Sequence, residues 1–157
     1  MRILFVCTAN ITRSAMCEAI LKKFVSDDNL QDKITIESAG TEALSGGSPD
    51  PEAIEICQKH GIDVKDHLAR QVDPELLDQA DLILCLAESH KERIVEASPT
   101  YEKKVFLLKE YAQVVLPDDL SVNDPTGKSK KEYQKTFEEL YGEILRIYPA
   151  IQRESKE

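Results

Sequence analysis

Near the amino terminus the run Cys7-Thr8-Ala9-Asn10-Ile11-Thr12-Arg13-Ser14 joins a thiol, a guanidinium and a hydroxyl at the spacing Cys-x5-Arg-Ser. An apolar stretch, Ile3-Leu4-Phe5-Val6, precedes it and a helical pattern follows, so the loop runs from a strand into a helix. Unpartnered N–H groups and the dipole at a helix N-terminus make a natural seat for a phosphate. Free cysteine titrates near pH 8.5, and a helix N-terminus, a nearby cation and hydroxyl donors favour the thiolate. Arg13, Ser14 and the helix that starts there supply all three. Arg13 also carries a planar fork that grips two phosphoryl oxygens. Asn10 suits a loop that turns its N–H groups inward, because asparagine tolerates left-handed backbone angles. Taken alone, Cys7 would also suit the end of a core strand; its place between strand and helix favours chemistry.

Thiolate attack on phosphorus needs a proton for the leaving oxygen, so a carboxyl group must reach the loop from elsewhere. Asp124, in Asn123-Asp124-Pro125, is the best candidate, with Asp118 and Asp119 as competitors; by spacing alone Asp-Pro could simply open a turn. All three lie in the irregular stretch Gln113–Lys128, too polar for core and too long for a turn, which suggests a functional loop. Gly127-Lys128-Ser129 imitates the end of a nucleotide-binding loop, but the required first glycine falls on Val122 and no strand ends before it.

The elements that must position these groups follow from periodicity. Strands are expected at Arg2–Cys7, Ile34–Ser38, Asp81–Leu86 and Val105–Leu108. Helices are expected at Ser14–Phe24, Pro51–His60, Pro74–Gln79, Glu88–Glu96 and Lys130–Tyr148. The last carries Phe137, Leu140, Tyr141, Ile144, Leu145 and Tyr148 as an apolar face, and Pro149 is expected to end it and leave 150–157 as a polar tail. Alternation of strands and helices implies an α/β fold: one domain over 1–157, three layers, a central four-stranded parallel sheet flanked by helices. Ligands in such folds bind beyond the carboxyl ends of the strands, where the phosphate-binding loop after strand 1 lies. Gly46-Gly47-Ser48-Pro49, soon after the second strand, is a plausible flexible rim.

The chain has 157 residues, 41% of them apolar and 31% charged, which suits one globular domain with a substantial core. A net charge of -9 argues against a nucleic-acid surface. No stretch is long enough to insert in a membrane, and residues 1–7 do not resemble a signal peptide, so a cytoplasmic location with reduced thiols is expected. The four cysteines, Cys7, Cys17, Cys57 and Cys85, show no metal-ligand spacing. Cys57 and Cys85 read as core fillers; Cys17, one turn into the first helix, does so less clearly.

With these pieces in view the chain resembles the low-molecular-weight protein tyrosine phosphatases, bacterial type. The likeness runs from Arg2 to about Tyr148. It rests on Val6-Cys7 with Arg13-Ser14, Glu37-Ser38-Ala39-Gly40-Thr41, Asp50–Ala53, Gly61-Ile62, His67-x-Ala69-Arg70-Gln71, Asp81-Leu82-Ile83-Leu84 and Asp124-Pro125. It implies a cysteine-dependent hydrolase of protein phosphotyrosine and small aryl phosphates that works through a phosphocysteine. In it, Cys7 would be the nucleophile, Arg13 the phosphate clamp and Asp124 the general acid, later the base toward water. Thr8, Ala9, Asn10, Ile11, Thr12, Arg13 and Ser14 would bind phosphate, and Asn10, Ser14, Ser38 and His67 would form a supporting polar network. Leu44 and Thr126 would wall the substrate. No cofactor or metal is implied, since amides and Arg13 stabilise the charge. The implied partner is a phosphotyrosine protein, a bacterial tyrosine kinase among the candidates, met by a monomer or weak dimer.

Departures sharpen this. Many members have glycine at Ala9, cysteine at Thr12 and proline at Ala15. Without cysteine at position 12 the usual disulfide partner of Cys7 is missing. Thr126-Gly127 stands where an aromatic wall is usual, and Leu44 where Trp or Tyr is common, which would weaken stacking on a phosphotyrosine ring by about 0.5–1.5 kcal/mol per lost contact. Arginine phosphatases of the same fold tend to have threonine where this chain has Ile11, which ranks arginine second. Arsenate reductases need two further cysteines in one segment, and Cys85 stands alone. A non-catalytic phosphate-binding module would usually have lost one of Cys7, Arg13 and Asp124.

Overall fold

The computed structural model describes Met1–Glu157. Its strands are β1 (Arg2–Cys7), β2 (Thr35–Gly40), β3 (Leu82–Cys85) and β4 (Val105–Leu107). They form one sheet in the order β2-β1-β3-β4, every pairing parallel. The helices are α1 (Arg13–Asp27), α2 (Pro51–Lys59), α3 (Pro74–Gln79), α4 (Glu88–Ala97) and α5 (Lys130–Glu154).

Strand periodicity sorts the core into two layers. Along β1, Ile3, Phe5 and Cys7 join a cluster with Met16, Cys17, Ile20 and Leu21 of α1 and with Phe137, Leu140 and Ile144 of α5. The intervening Leu4 and Val6 pack on the other face with Leu77 of α3 and Ile94 of α4. Burial of both faces explains why the strands read as continuous apolar runs instead of alternating. Asp50 and Asp73 cap α2 and α3, accepting from the N–H of Glu52 at 3.1 Å and of Leu76 at 2.8 Å, each with proline next in the chain.

Three expectations need correction. Pro149 does not end α5, which runs on to Glu154, so most of 150–157 is helix and not a polar tail; Ala150 and Ile151 are buried. Pro149 and Leu145, the residue whose carbonyl loses its partner, both lie on the exposed face, where solvent is at hand for the freed carbonyl. Burial of Ile151 then offsets a proline cost of about 3 kcal/mol in part. Tyr141 and Leu145 also fall outside the buried stripe, which Ile147 and Ile151 fill instead. Leu145 is rotated by about 100° from Ile144, too far to share its contacts. Finally, a 3-10 helix at Pro99–Lys104, absent from the periodicity reading, leads into β4.

Candidate active site

The loop from Cys7 to Ser14 hangs on its own carbonyls. Those of Cys7 and Thr8 accept from the N–H groups of Thr41 and Glu42, each at 2.9 Å, and that of Ile11 accepts from Asp50 at 3.0 Å. The Thr12 carbonyl accepts from Met16 at 2.9 Å, and the Asn10 carbonyl meets His67 Nε2 at 2.6 Å, which must therefore carry the proton. With the carbonyls turned outward, the N–H groups of Thr8, Ala9, Ile11, Thr12, Arg13 and Ser14 have no acceptor in the protein. They are the orphan donors expected where a strand turns into α1. Asn10 makes the turn with φ of 60°. Gly40 lets β2 pass close by: a Cβ there would sit 2.3 Å from the Thr8 carbonyl oxygen.

Behind the loop a buried chain of hydrogen bonds fixes its protons. The Asn10 amide donates to Ser14 Oγ at 2.8 Å and to Ser38 Oγ at 2.9 Å, and its oxygen accepts from the Arg70 N–H at 3.1 Å. The Ser38 hydroxyl donates to the Glu18 carboxylate, which lies 3.7 Å from His67 Nδ1. Because Ser14 Oγ already accepts from Asn10, its hydroxyl proton is free to point at Cys7 Sγ, 2.8 Å away. The Asn10 N–H adds a second donor to the sulfur at 3.3 Å. Two donors on one sulfur provide in the protein the solvation that a thiolate draws from water.

Arg13 is buried, and its guanidinium donates to the Val122 carbonyl at 3.0 Å and the Thr8 hydroxyl at 3.4 Å. Asp124 Oδ2 lies 3.6 Å from Arg13 Nη2, so a carboxylate from the far end of the chain does reach the loop; Asp118 and Asp119 make no such contact. Burial works to raise the Asp124 carboxyl, but the hydroxyl and the N–H of Thr126, at 2.7 and 3.0 Å, and the charges of Arg13 and Lys128 together hold it below the usual carboxylate range. Thr126 therefore gives both of its donors to Asp124. Leu44, the other expected wall, is 83% exposed. The Gly46-Gly47 rim is tied down rather than loose, since Gly46 donates to Ala69 and Ala69 back to Gly47, both at 2.8 Å.

The three other thiols are buried in the core, and burial raises each of them, Cys57 to about 12, so they stay protonated and inert. A nucleophile, a cradle of N–H groups, a guanidinium and a carboxyl group in one cleft are the parts needed to move a phosphoryl group from an ester to sulfur and on to water.

Comparison with known proteins decides the kinship. The family model for low molecular weight phosphotyrosine protein phosphatases matches residues 2–157. The chain belongs to this family. Among relatives of this phosphatase, the protein-arginine-phosphatase of Bacillus subtilis (strain 168) is 37% identical over 147 residues, covering 93% of each chain. The low molecular weight protein-tyrosine-phosphatase Wzb of Escherichia coli (strain K12) is 32% identical over 135 residues, 86% of this chain and 84% of Wzb. Among solved structures, a mutant of the YwlE arginine phosphatase with a phosphorylated active-site serine superimposes with a TM-score of 0.89 and 32% identity over 97% of this chain and 96% of that one.

The sequence reading of this low molecular weight phosphatase missed three residues that touch the site. Glu18 was recognisable: it lies four residues after Ser14, one turn along the same helix face. Val122, buried in a largely exposed stretch, anchors the loop that carries Asp124 through its N–H to the Leu86 carbonyl at 2.7 Å and takes Arg13 on its own carbonyl. Buried His90 of α4 bonds Thr8, a contact across 82 positions that no local pattern announces.

Proposed function

We propose that this phosphatase hydrolyses protein phosphotyrosine and small aryl phosphates in two steps. The Cys7 thiolate attacks phosphorus; the S–P bond forms as the P–O bond to the aryl group breaks, and Asp124 gives its proton to the leaving oxygen. Asp124, now a carboxylate, takes a proton from water, which attacks the phosphocysteine, releases phosphate and restores the thiolate. Arg13 and the inward N–H groups of Thr8 to Ser14 bind the equatorial oxygens throughout. In the free protein Asp124 is ionised, so its proton is acquired as the negative phosphoryl group occupies Arg13. The single observation that carries this reading is the sulfur of Cys7 under two donors at the base of a loop with unfilled N–H groups. The phosphorylated active-site serine of the related YwlE mutant supports a covalent step at the same point of the fold.

Asn10, Ser14, Ser38 and His67 serve in this proposal to hold the loop, and Leu44 and Thr126 border the entrance. Kinship with an arginine phosphatase keeps phosphoarginine as a second reading. The branched apolar side chain of Ile11 offers no hydrogen bond to a guanidinium, and it favours tyrosine. The partner we infer is a cytoplasmic phosphotyrosine protein; no helix is long and apolar enough to cross a membrane. Paired peptides bearing phosphotyrosine or phosphoarginine test the choice. We expect at least tenfold higher kcat/KM on phosphotyrosine and no turnover by Cys7→Ser; a preference for phosphoarginine would overturn it.

A further inference from the structure

Thr8 follows the nucleophile directly, and its hydroxyl oxygen sits between two donors. His90 Nε2 lies 2.9 Å from it and Arg13 Nη2 3.4 Å. The direction of the first bond is fixed by the other side of the ring. The Ala87 N–H points at His90 Nδ1 from 3.1 Å, and an amide can only donate, so Nδ1 is unprotonated and Nε2 carries the proton. His90 is buried, with 3% of the residue exposed. Burial and the neighbouring Arg13 push its pKa down to about 4, which keeps this tautomer neutral. Both lone pairs of the Thr8 oxygen are then occupied, and its own proton meets no acceptor in the protein.

We infer that His90 is a positioning residue: by filling a lone pair of Thr8 it turns that hydroxyl into a dedicated donor toward the phosphoryl group, and through Thr8 it steadies Arg13. His90 touches no reacting atom. Its second role is local, since it stands at the third position of α4 and accepts from the N-terminal N–H as Glu or Gln does in a capping box. The inference rests on the phosphatase reading above and adds a donor to it.

The test is a double-mutant cycle of Thr8→Val and His90→Phe, read as kcat and KM on p-nitrophenyl phosphate and as the inhibition constant of inorganic phosphate. Thr8→Val is nearly isosteric; it is expected to lower kcat/KM about tenfold and weaken phosphate by a similar factor. His90→Phe is expected to act in the same direction, and the double variant to be no worse than the weaker single within about twofold. His90→Gln, which keeps both an acceptor for Ala87 and a donor for Thr8, is expected to recover most of the loss. Losses that multiply in the double variant would reduce His90 to a helix cap and overturn the inference. So would Thr8→Val with both constants within twofold of wild type, a result that decides the matter even where His90→Phe fails to fold. A wild-type protein without turnover would instead sink the phosphatase reading, while calorimetric phosphate binding by the same variants would still judge the Thr8–His90 pair.

Discussion

Asn10 and Asp124 belong to the same site, one behind the loop and one at its mouth, and are held in opposite ways. Asn10 is fully buried, and its side chain makes three hydrogen bonds, to Ser14, Ser38 and Arg70. No buried side-chain polar atom around it, or elsewhere, lacks a partner. Asp124 has a side chain 48% exposed, and its carboxylate is bonded only within its own turn, to Thr126, with Arg13 at ion-pair distance. The stretch before it exposes Val114 at 99% and Val115 at 79%, and Val122 is its main anchor. In the mechanism we propose, the attacking side of the reaction is thus built into the core, where preorganised donors cost no rearrangement when charge develops. The proton-transferring side of that mechanism rides on a more exposed loop, which would leave it free to serve a substrate oxygen first and a water afterwards.

This contrast predicts that the two sides fail differently. Asp124→Asn is expected to lower kcat by about 10²–10⁴ on phenyl phosphate, whose leaving group needs a proton, and by much less on p-nitrophenyl phosphate, whose leaving group does not. Stability is expected to stay within about 0.5 kcal/mol, because asparagine keeps an oxygen for Thr126 and the site is half open. Equal losses on the two esters would remove Asp124 from the acid role. A large drop in melting temperature would show that the acid loop is as integral to the fold as the network behind Cys7.

Asn10→Ala is expected to do the reverse, with stability falling first. The change strips donors from Ser14 and Ser38, orphans the Arg70 N–H, and leaves alanine at a φ of 60°. A buried orphan costs about 1–3 kcal/mol and the left-handed backbone about 1 kcal/mol, so a loss of about 3 kcal/mol is expected, or roughly 6–12 °C in Tm. Ser14 then loses the contact that commits its proton to Cys7, so kcat should fall as well. Thermal melts and kinetics on one preparation check both. An Asn10→Ala protein that melts with the wild type would erase the contrast.

What was legible in the sequence follows the same division. The strand, loop and helix around Cys7 lie within one short run, and local chemistry announces them: an apolar strand, an asparagine for the turn, and an Arg-Ser pair at the helix start. Asp124 was visible as a type of residue in a type of loop; local sequence left Asp118 and Asp119 as competitors, the family resemblance singled out Asp124, and the closed chain places it beside Arg13. Pro149 read as a stop because proline rules are local, whereas Ile151 is held by the whole core. Glu18 shares a helix face with Ser14, but its partner Ser38 comes from β2, and His90 meets Thr8 at a separation where periodicity carries no signal.

His90 stands at the seam of the two regions, feeling the charges of both Arg13 and Asp124, and gives the smallest and most specific prediction. An unfolded histidine titrates near 6.5, whereas burial and Arg13 lower this one to about 4. The unfolded chain therefore binds the proton more readily, so His90 costs stability as pH falls below about 6.5, increasingly until about 4, and by a constant amount below that. At pH 5 the difference is about 2 kcal/mol. Protonation at Nδ1 would place a second N–H against that of Ala87 and a cation beside Arg13, breaking the cap of α4 while Nε2 still donates to Thr8. Melting curves of wild type and His90→Gln at pH 7 and pH 5 isolate the effect from the many carboxylates that titrate in both proteins. The wild type is expected to lose about 4–8 °C more than the variant over that interval. Parallel losses would mean that His90 accepts its proton without leaving the fold, and that the seam is as loosely built as the acid loop beside it.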